Sequence, residues 1–322
     1  MRRRSVAARA LSGLSGLSGL SGLSGLLEVI QVASDRGRSV WGTPVHDGMG
    51  ALSIMMVITG IVLLASFVIA GIVGIKLWRL GADDWLAPER MLAVYFLVSH
   101  LIGGVMMTIA YGAWSSMGRA ESPDWLIWIN GVGQHLLAIG FATILLFTQR
   151  TFHPGVRWAE TLAWLAIGVL VLSLLGRLLW EGFAISISGG TFHWAAFAVR
   201  MLALCWAGVS ACAYWVRMRK RMKLGLADPL LVNRFLLWGG WAIGNLIIAL
   251  SEPAARLIYS WTAGDAAMTA DHITGVAGPI IQITLSVTSV FGSLTTIALF
   301  LTFFPTEGYK RWVMRQTGPP GV

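Results

Sequence analysis

The amino-acid sequence predicts an all-α fold, a polytopic transmembrane bundle of about seven spanning helices. Of its 322 residues, 56% are hydrophobic and 12% are charged, and the hydrophobic residues form long runs rather than amphipathic stripes. A spanning helix needs roughly 20 mostly apolar residues to cross a hydrocarbon core of about 30 Å. Seven windows meet that length: 50–76, 91–115, 125–148, 158–180, 193–216, 229–250 and 277–304.

The spans divide the chain into an N-terminal tail, 1–48, a transmembrane domain, 49–305, and a C-terminal tail, 306–322. The N-terminal tail contains five consecutive copies of Leu-Ser-Gly, from Leu11 to Gly25. Glycine and serine disfavour both a packed core and an isolated helix. We therefore expect a disordered tail whose removal leaves insertion intact, although its basic start followed by a weakly apolar stretch also fits a signal-like segment.

Basic residues between the spans predict the orientation of the bundle. One set of connections carries fourteen of them, with a dense run at 217–223, whereas the opposite set carries only Arg119 and Arg256 beside five acidic residues. By the positive-inside rule, the C-terminus is cytoplasmic and, with seven spans, the N-terminus is outside. Six arginines in the N-terminal tail run against this assignment.

The net charge of +9 is explained by this topology, so we expect the lipid bilayer, and no nucleic acid, as the partner of these basic residues. The chain has no Walker-type loop, H-E-x-x-H, C-x-x-C or G-x-S-x-G motif and no acidic metal cluster. A binding protein is therefore favoured over an enzyme. The apolar composition and the topology predict a multi-pass protein of a cell membrane, a bacterial inner membrane.

Two histidines lie near the middle of neighbouring antiparallel spans, His100 on the second and His135 on the third. Two imidazoles at one depth fit the ligands of haem b or of a metal ion. The alternative is that each ring hydrogen-bonds a neighbouring helix.

A second polar group is predicted in the outer leaflet, where ionisable side chains are costly and need partners. Each of three successive spans contributes two residues at a helical spacing that puts both on one face, and the i, i+4 spacing on the fourth span lets its two residues pair. The six residues are Arg177 and Glu181 on the fourth span, His193 and Arg200 on the fifth, and Asn245 and Glu252 on the sixth.

These six residues have two interpretations: they neutralise one another and lock the bundle, or they line a pocket that binds a small polar or anionic ligand through charge-assisted hydrogen bonds. A small-solute transporter is a third hypothesis, which the absence of an evident inverted repeat disfavours.

Two segments carry a resemblance to a known group of proteins. They are GLADPLLVNRFLLWG, residues 225–239, and FFPTEGYKRW, residues 303–312. Both resemble segments of uncharacterised bacterial seven-helix membrane proteins, including the sensory input regions of signalling proteins. Asp228 and Pro229 are also expected to start the sixth helix, as N-cap and first residue.

The leading hypothesis is accordingly a receptor or sensor that binds a small ligand in its outer half and acts through a protein partner at the basic 217–223 loop. The main alternative is a membrane redox protein that uses His100 and His135 to bind haem.

Overall fold

The computed structural model describes residues 48–81, 87–116, 123–183, 190–263 and 270–316. Side chains are described in these ranges except at 48–54, 114–116, 252, 255–256, 258–263, 270–282 and 316. The N-terminal repeat therefore lies outside the described residues. Eight helices account for nearly all of them. They are α1 (Gly48–Leu80), α2 (Pro88–Val94, Tyr95–Gly103 and Gly104–Ser116 in succession), α3 (Asp124–Phe152), α4 (Arg157–Gly176, continued by Arg177–Glu181), α5 (Thr191–Lys223), α6 (Pro229–Ala263), α7 (Ala270–Phe303) and α8 (Glu307–Gln316).

The first seven helices are long and apolar enough to cross a membrane, which confirms the predicted fold class and number of spans. Helices α6 and α7 extend beyond the predicted windows, because the apolar criterion ignores the polar turns that continue a helix outside the hydrocarbon region. The basic run at 217–223 is also helical, since it forms the end of α5. The prediction of a loop there was wrong.

The spans pack as a closed ring in which each helix contacts the next and α7 returns to α1. Gly74 of α1 lies against Leu97 of α2, and Gly208 of α5 lies against Ile243 of α6. Such close approaches need a residue without a Cβ. The ring closes where Thr59 of α1 hydrogen-bonds Ser289 of α7 at 2.7 Å.

The two ends of the bundle differ in character. We call the end where α1 and α7 finish the basic end, and the opposite one the far end. Toward the basic end, aromatic rings fill the interior: Trp241 lies 4.6 Å from Trp238 and 5.6 Å from Tyr95 between ring centroids. Phe96 contacts the same tryptophans. Stacked and edge-on aromatic rings therefore fill much of the interior in this half of the bundle.

Two segments have π-helical hydrogen bonding, Tyr95–Gly103 in α2 and Arg177–Glu181 at the end of α4. In a π-turn the bonds run from residue i to i+5, so residues four apart no longer lie directly above one another. Both segments contain residues that the sequence predicts as ligands, His100 in the first and Arg177 in the second.

The amphipathic helix α8 lies within the predicted C-terminal tail and packs against α6. The hydroxyl of Tyr309 accepts a hydrogen bond from Asn233 of α6, and partial burial raises the pKa of Tyr309. At the start of α6, the amide of Leu230 donates to Oδ1 of Asp228 at 3.0 Å, which confirms the predicted N-cap.

Candidate functional site

Phe183 is the centre of a buried polar cluster at the far end. The chain turns at Gly182, whose φ of 71° suits glycine and whose amide donates to the carbonyl of Arg177 at 2.6 Å. This turn brings Phe183 back into the bundle, where its carbonyl accepts a 2.6 Å hydrogen bond from Asn130 Nδ2. Its ring lies 5.2 Å from the imidazole of His135. Helix α3 and the end of α4 therefore both contact Phe183.

Arg177 is the buried cation of this cluster, with 5% of its side chain exposed. Its guanidinium lies over the Phe183 ring at 5.0 Å from the centroid, and Glu181 and Tyr111 lie within electrostatic range. Within the described part of the chain, its Nε and Nη1 donate no hydrogen bond. A buried guanidinium with unused donors is costly unless an anion or a carbonyl group occupies them.

Arg177 and Glu181, which an α-helical i, i+4 spacing would let pair, do not form an ion pair in the structure. The π-turn changes the angular spacing that would have put the two side chains on one face. Glu181 instead reaches the start of α5, where its carboxylate accepts hydrogen bonds from the amides of Phe192 at 2.8 Å and His193 at 3.3 Å. Glu181 thus caps α5, and its negative charge faces the positive end of the helix dipole.

Arg200 lies deeper along α5 and contacts α3. Its Nη2 donates a 2.7 Å hydrogen bond to Oε1 of Gln134, an amide with 3% of its side chain exposed. Gln134 is one turn from Asn130 on the same face of α3, because residues i and i+4 are neighbours on a helix. Arg200 and the Phe183 cluster are therefore joined through α3.

The other three predicted ligand residues, His193, Asn245 and Glu252, do not all lie beside Arg177. His193 lies in the first turn of α5 beside Glu181, and its ring packs edge-on against Trp194 at 5.4 Å. Asn245 donates to the Trp241 carbonyl of its own helix at 2.8 Å. The side chain of Glu252 lies outside the described residues.

The register of α5 against α6 explains the position of Asn245. Gly208 lies against Ile243 and Gly239 lies against Cys212, so Asn245 is level with about Trp206. Arg200 lies six residues further toward the far end, which corresponds to roughly 9 Å along the helix axis. The structure therefore brings Arg177, Glu181, His193 and Arg200 to one end, with Asn245 deeper in the bundle.

The two histidines proposed as haem ligands have different partners. Nε2 of His100 hydrogen-bonds Oγ of Ser66 on α1 at 2.8 Å, and its ring contacts Phe67 edge-on at 5.8 Å. Nδ1 of His135 donates to the Gly131 carbonyl of its own helix at 2.8 Å. Among the described residues, no group of three or more His, Cys, Asp or Glu side chains is arranged to hold a metal ion.

Sequence reasoning missed three residues of this site: Asn130, Gln134 and Phe183. The two amides are buried and four residues apart on an apolar span, a pattern visible in the sequence that indicates a polar face toward neighbouring helices. Phe183 gave no such signal, since its role depends on its backbone carbonyl and on the turn at Gly182.

The cluster offers a defined set of hydrogen-bonding groups. Arg177 supplies buried cationic donors, and Oδ1 of Asn130 is a buried acceptor that receives no hydrogen bond within the described residues. A planar guanidinium binds carboxylate or phosphate oxygens with two parallel bonds. Arg177 and Asn130 both contact Phe183, so the unused donors and the unused acceptor belong to the same cluster.

Comparison with known proteins finds no family model, no curated protein and no solved structure that matches this chain.

Proposed function

We propose that this multi-pass membrane protein is a receptor of sensor type that binds a small anionic ligand at its far end and acts through a protein partner at its basic end. The observation that carries the proposal is Arg177, a buried cation whose Nε and Nη1 donors have no hydrogen-bond partner among the described residues. A ligand carboxylate or phosphate would occupy those donors, and a donor on the ligand would bond Oδ1 of Asn130.

Helix α5 provides a direct connection between the two ends. It is continuous over 33 residues, which corresponds to about 50 Å. At the far end it is held by Glu181, through the amides of its first turn, and by Gln134, through Arg200. A ligand that rearranges Arg177 and its neighbour Glu181 changes these attachments and can tilt or rotate the whole helix.

The opposite end of α5 carries the surface that we assign to the partner. The side chains of its five basic residues, Arg217, Arg219, Lys220, Arg221 and Lys223, are exposed. Two of them are positioned by aromatic neighbours, with Arg217 over the Tyr214 ring at 5.5 Å and Arg219 over the Trp215 ring at 5.4 Å. This helix end suits an acidic protein surface.

The proposal places the basic end in the cytoplasm of a bacterial cell and the far end outside its inner membrane. The support is the concentration of basic residues at one end of the bundle. With that orientation, the Arg177 site faces the compartment from which small solutes arrive, and the α5 extension faces cytoplasmic proteins.

A thermal-shift series on the purified protein tests the ligand site. We expect at least one probe among acetate, succinate, glutamate and inorganic phosphate to raise the melting temperature of the wild type and not that of Arg177→Met. Arg157→Gln is the matched control, because Arg157 is exposed at the other end of α4, and it should respond as the wild type does. Equal responses of all three proteins would refute binding at Arg177.

An absorption spectrum separates this proposal from the haem alternative. A receptor of small anions purifies without a Soret band, whereas coordination by His100 and His135 would give one that is lost in His100→Ala.

A further inference from the structure

A groove on the exposed face of α1 is lined by apolar and basic residues. Five of its lining residues follow one another at the spacing 72, 75, 76, 79 and 80, which puts them on a single face of the helix. Phe304, just past the end of α7, closes the other side, and the groove has a volume of about 440 Å³. The residues from α1 are Ile72, Ile75, Lys76, Arg79 and Leu80.

The groove is apolar along its length and cationic at the basic end. Ile72 and Ile75 are about half exposed, at 51% and 48%, and they form the wall deeper in the span. Lys76 and Arg79 follow within one turn, at the level where a spanning helix meets the headgroups. Among the described residues that line the groove, none is acidic.

Lys76 is held in place for this role. Its Nζ donates a 2.9 Å hydrogen bond to the carbonyl of Phe303, the last residue of α7, and lies 4.4 Å from the centroid of the Phe304 ring. A carbonyl in the last turn of a helix lacks an intrahelical donor, so this bond caps α7. An ammonium has three donors, and those not used by Phe303 remain for a second acceptor.

Arg79 completes the pair. It lies three residues after Lys76 on an exposed face, and within the described residues its guanidinium makes neither a hydrogen bond nor an ion pair. The ammonium held by Phe303 and a guanidinium three residues away can bind the same phosphate from two sides.

We propose that this groove binds one anionic phospholipid, with its phosphate between Lys76 and Arg79 and an acyl chain along Ile72, Ile75 and Phe304. The charge of the site selects the occupant, because two cations, with no carboxylate among the described lining residues, favour a headgroup of net negative charge over a zwitterion that also carries an ammonium. This inference is independent of the Arg177 site, since the groove lies at the opposite end of the bundle.

Native mass spectrometry of the purified full-length protein tests the proposal, with phosphatidylglycerol and phosphatidylethanolamine as the added lipids. We expect one phosphatidylglycerol to be retained in preference to phosphatidylethanolamine. Each cation near a membrane surface contributes about fivefold to the binding of an anionic lipid, so Lys76→Gln with Arg79→Gln should weaken retention roughly 25-fold. Arg219→Gln with Lys223→Gln removes the same charge from the exposed end of α5 and should retain the lipid normally.

Arg79→Gln alone distinguishes lipid binding from a folding defect, because Lys76 also caps α7 whereas Arg79 makes no hydrogen bond or ion pair among the described residues. It should weaken retention by about fivefold without changing the melting temperature of the delipidated protein. Equal retention of the two lipids, full retention by the groove variants, or an equal loss in the α5 control would each overturn the proposal. So would a dimer that dissociates in the groove variants, since a second copy would then occupy the groove.

Discussion

Arg200 on α5 donates a 2.7 Å hydrogen bond to Oε1 of Gln134 on α3, and this contact joins two helices that are not consecutive in the chain. Gln134 is buried, so the bond forms where water does not compete with it. It holds α5 close to the cluster around Phe183. Arg200 is thereby a positioning residue of the site, while Arg177 is the residue that we expect to contact the ligand.

A double-mutant cycle measures the contact between Arg200 and Gln134. We expect Arg200→Leu and Gln134→Leu each to lower the stability of the detergent-solubilised protein, with a coupling energy of about 1.5–3 kcal/mol, as for a hydrogen bond to a charged group. Gln134→Glu retains an acceptor and should lose less than Gln134→Leu. If the two leucine substitutions are additive within about 0.5 kcal/mol, the bond does not contribute to stability.

Glu181 should behave as a helix cap. Glu181→Ala removes the acceptor of two amides at the start of α5, and we expect a loss of about 1–2 kcal/mol, typical of a lost N-cap. Glu181→Gln keeps one acceptor oxygen and should lose less. Melting temperatures in detergent give the comparison, with Glu307→Ala as a control, because Glu307 forms an exposed pair with Lys310 at 2.6 Å worth about 1 kcal/mol or less.

An alternative outcome is equally informative. If the free energy of unfolding of Glu181→Gln falls by about 3–5 kcal/mol, the loss equals the cost of breaking a buried ion pair. It would show that Glu181 pairs with Arg177 after all.

His153 gives the fold a pH dependence. It lies between α3 and α4, stacked on Trp206 at 5.8 Å between centroids and bonded through Nε2 to Oγ of Ser210 at 3.0 Å. Burial, together with the positive charge of Arg217, lowers the pKa of His153 below its ordinary value. The unfolded chain therefore binds a proton first, so stability is constant at higher pH and falls as the pH drops below about 6.5.

Melting temperatures between neutral and mildly acidic pH test this prediction. The melting temperature should decrease less in His153→Gln than in the wild type over that range, because glutamine retains a polar group for Ser210 but does not titrate. A decrease of the same size in both proteins would assign the pH dependence to other groups.

If the basic end is cytoplasmic, an impermeant thiol reagent should reach cysteines at the far end and not those at the basic end of intact cells. In a background with Cys205 and Cys212 replaced by Ala, a cysteine at Arg221 should be protected in intact cells and labelled after permeabilisation. A cysteine at Thr269, between α6 and α7, should be labelled from outside. Labelling of the Arg221→Cys protein in intact cells would reverse the orientation and place the basic surface outside.

The sequence was sufficient for the number of spans because the apolar runs are long and uninterrupted. It was also sufficient for the Asp228 cap, which depends only on neighbouring residues. Arg177 and Glu181 do not pair because this segment is π-helical and not α-helical, and a π-turn could not be read from the residues. The contact of Arg200 with Gln134 required knowledge of which non-consecutive helices pack together.

The free energy of unfolding of Arg177→Met, measured without added anions, tests most directly whether Arg177 binds a ligand or stabilises the fold. A ligand-binding arginine contributes little to the empty fold, because its lost contact with the Phe183 ring is worth about 1 kcal/mol and removing a buried, incompletely bonded charge offsets that loss. We therefore predict that the free energy of unfolding of the variant lies within about 1 kcal/mol of the wild-type value. A loss of about 3–5 kcal/mol, as expected when a buried ion pair is broken, would contradict this account and make Arg177 a structural residue.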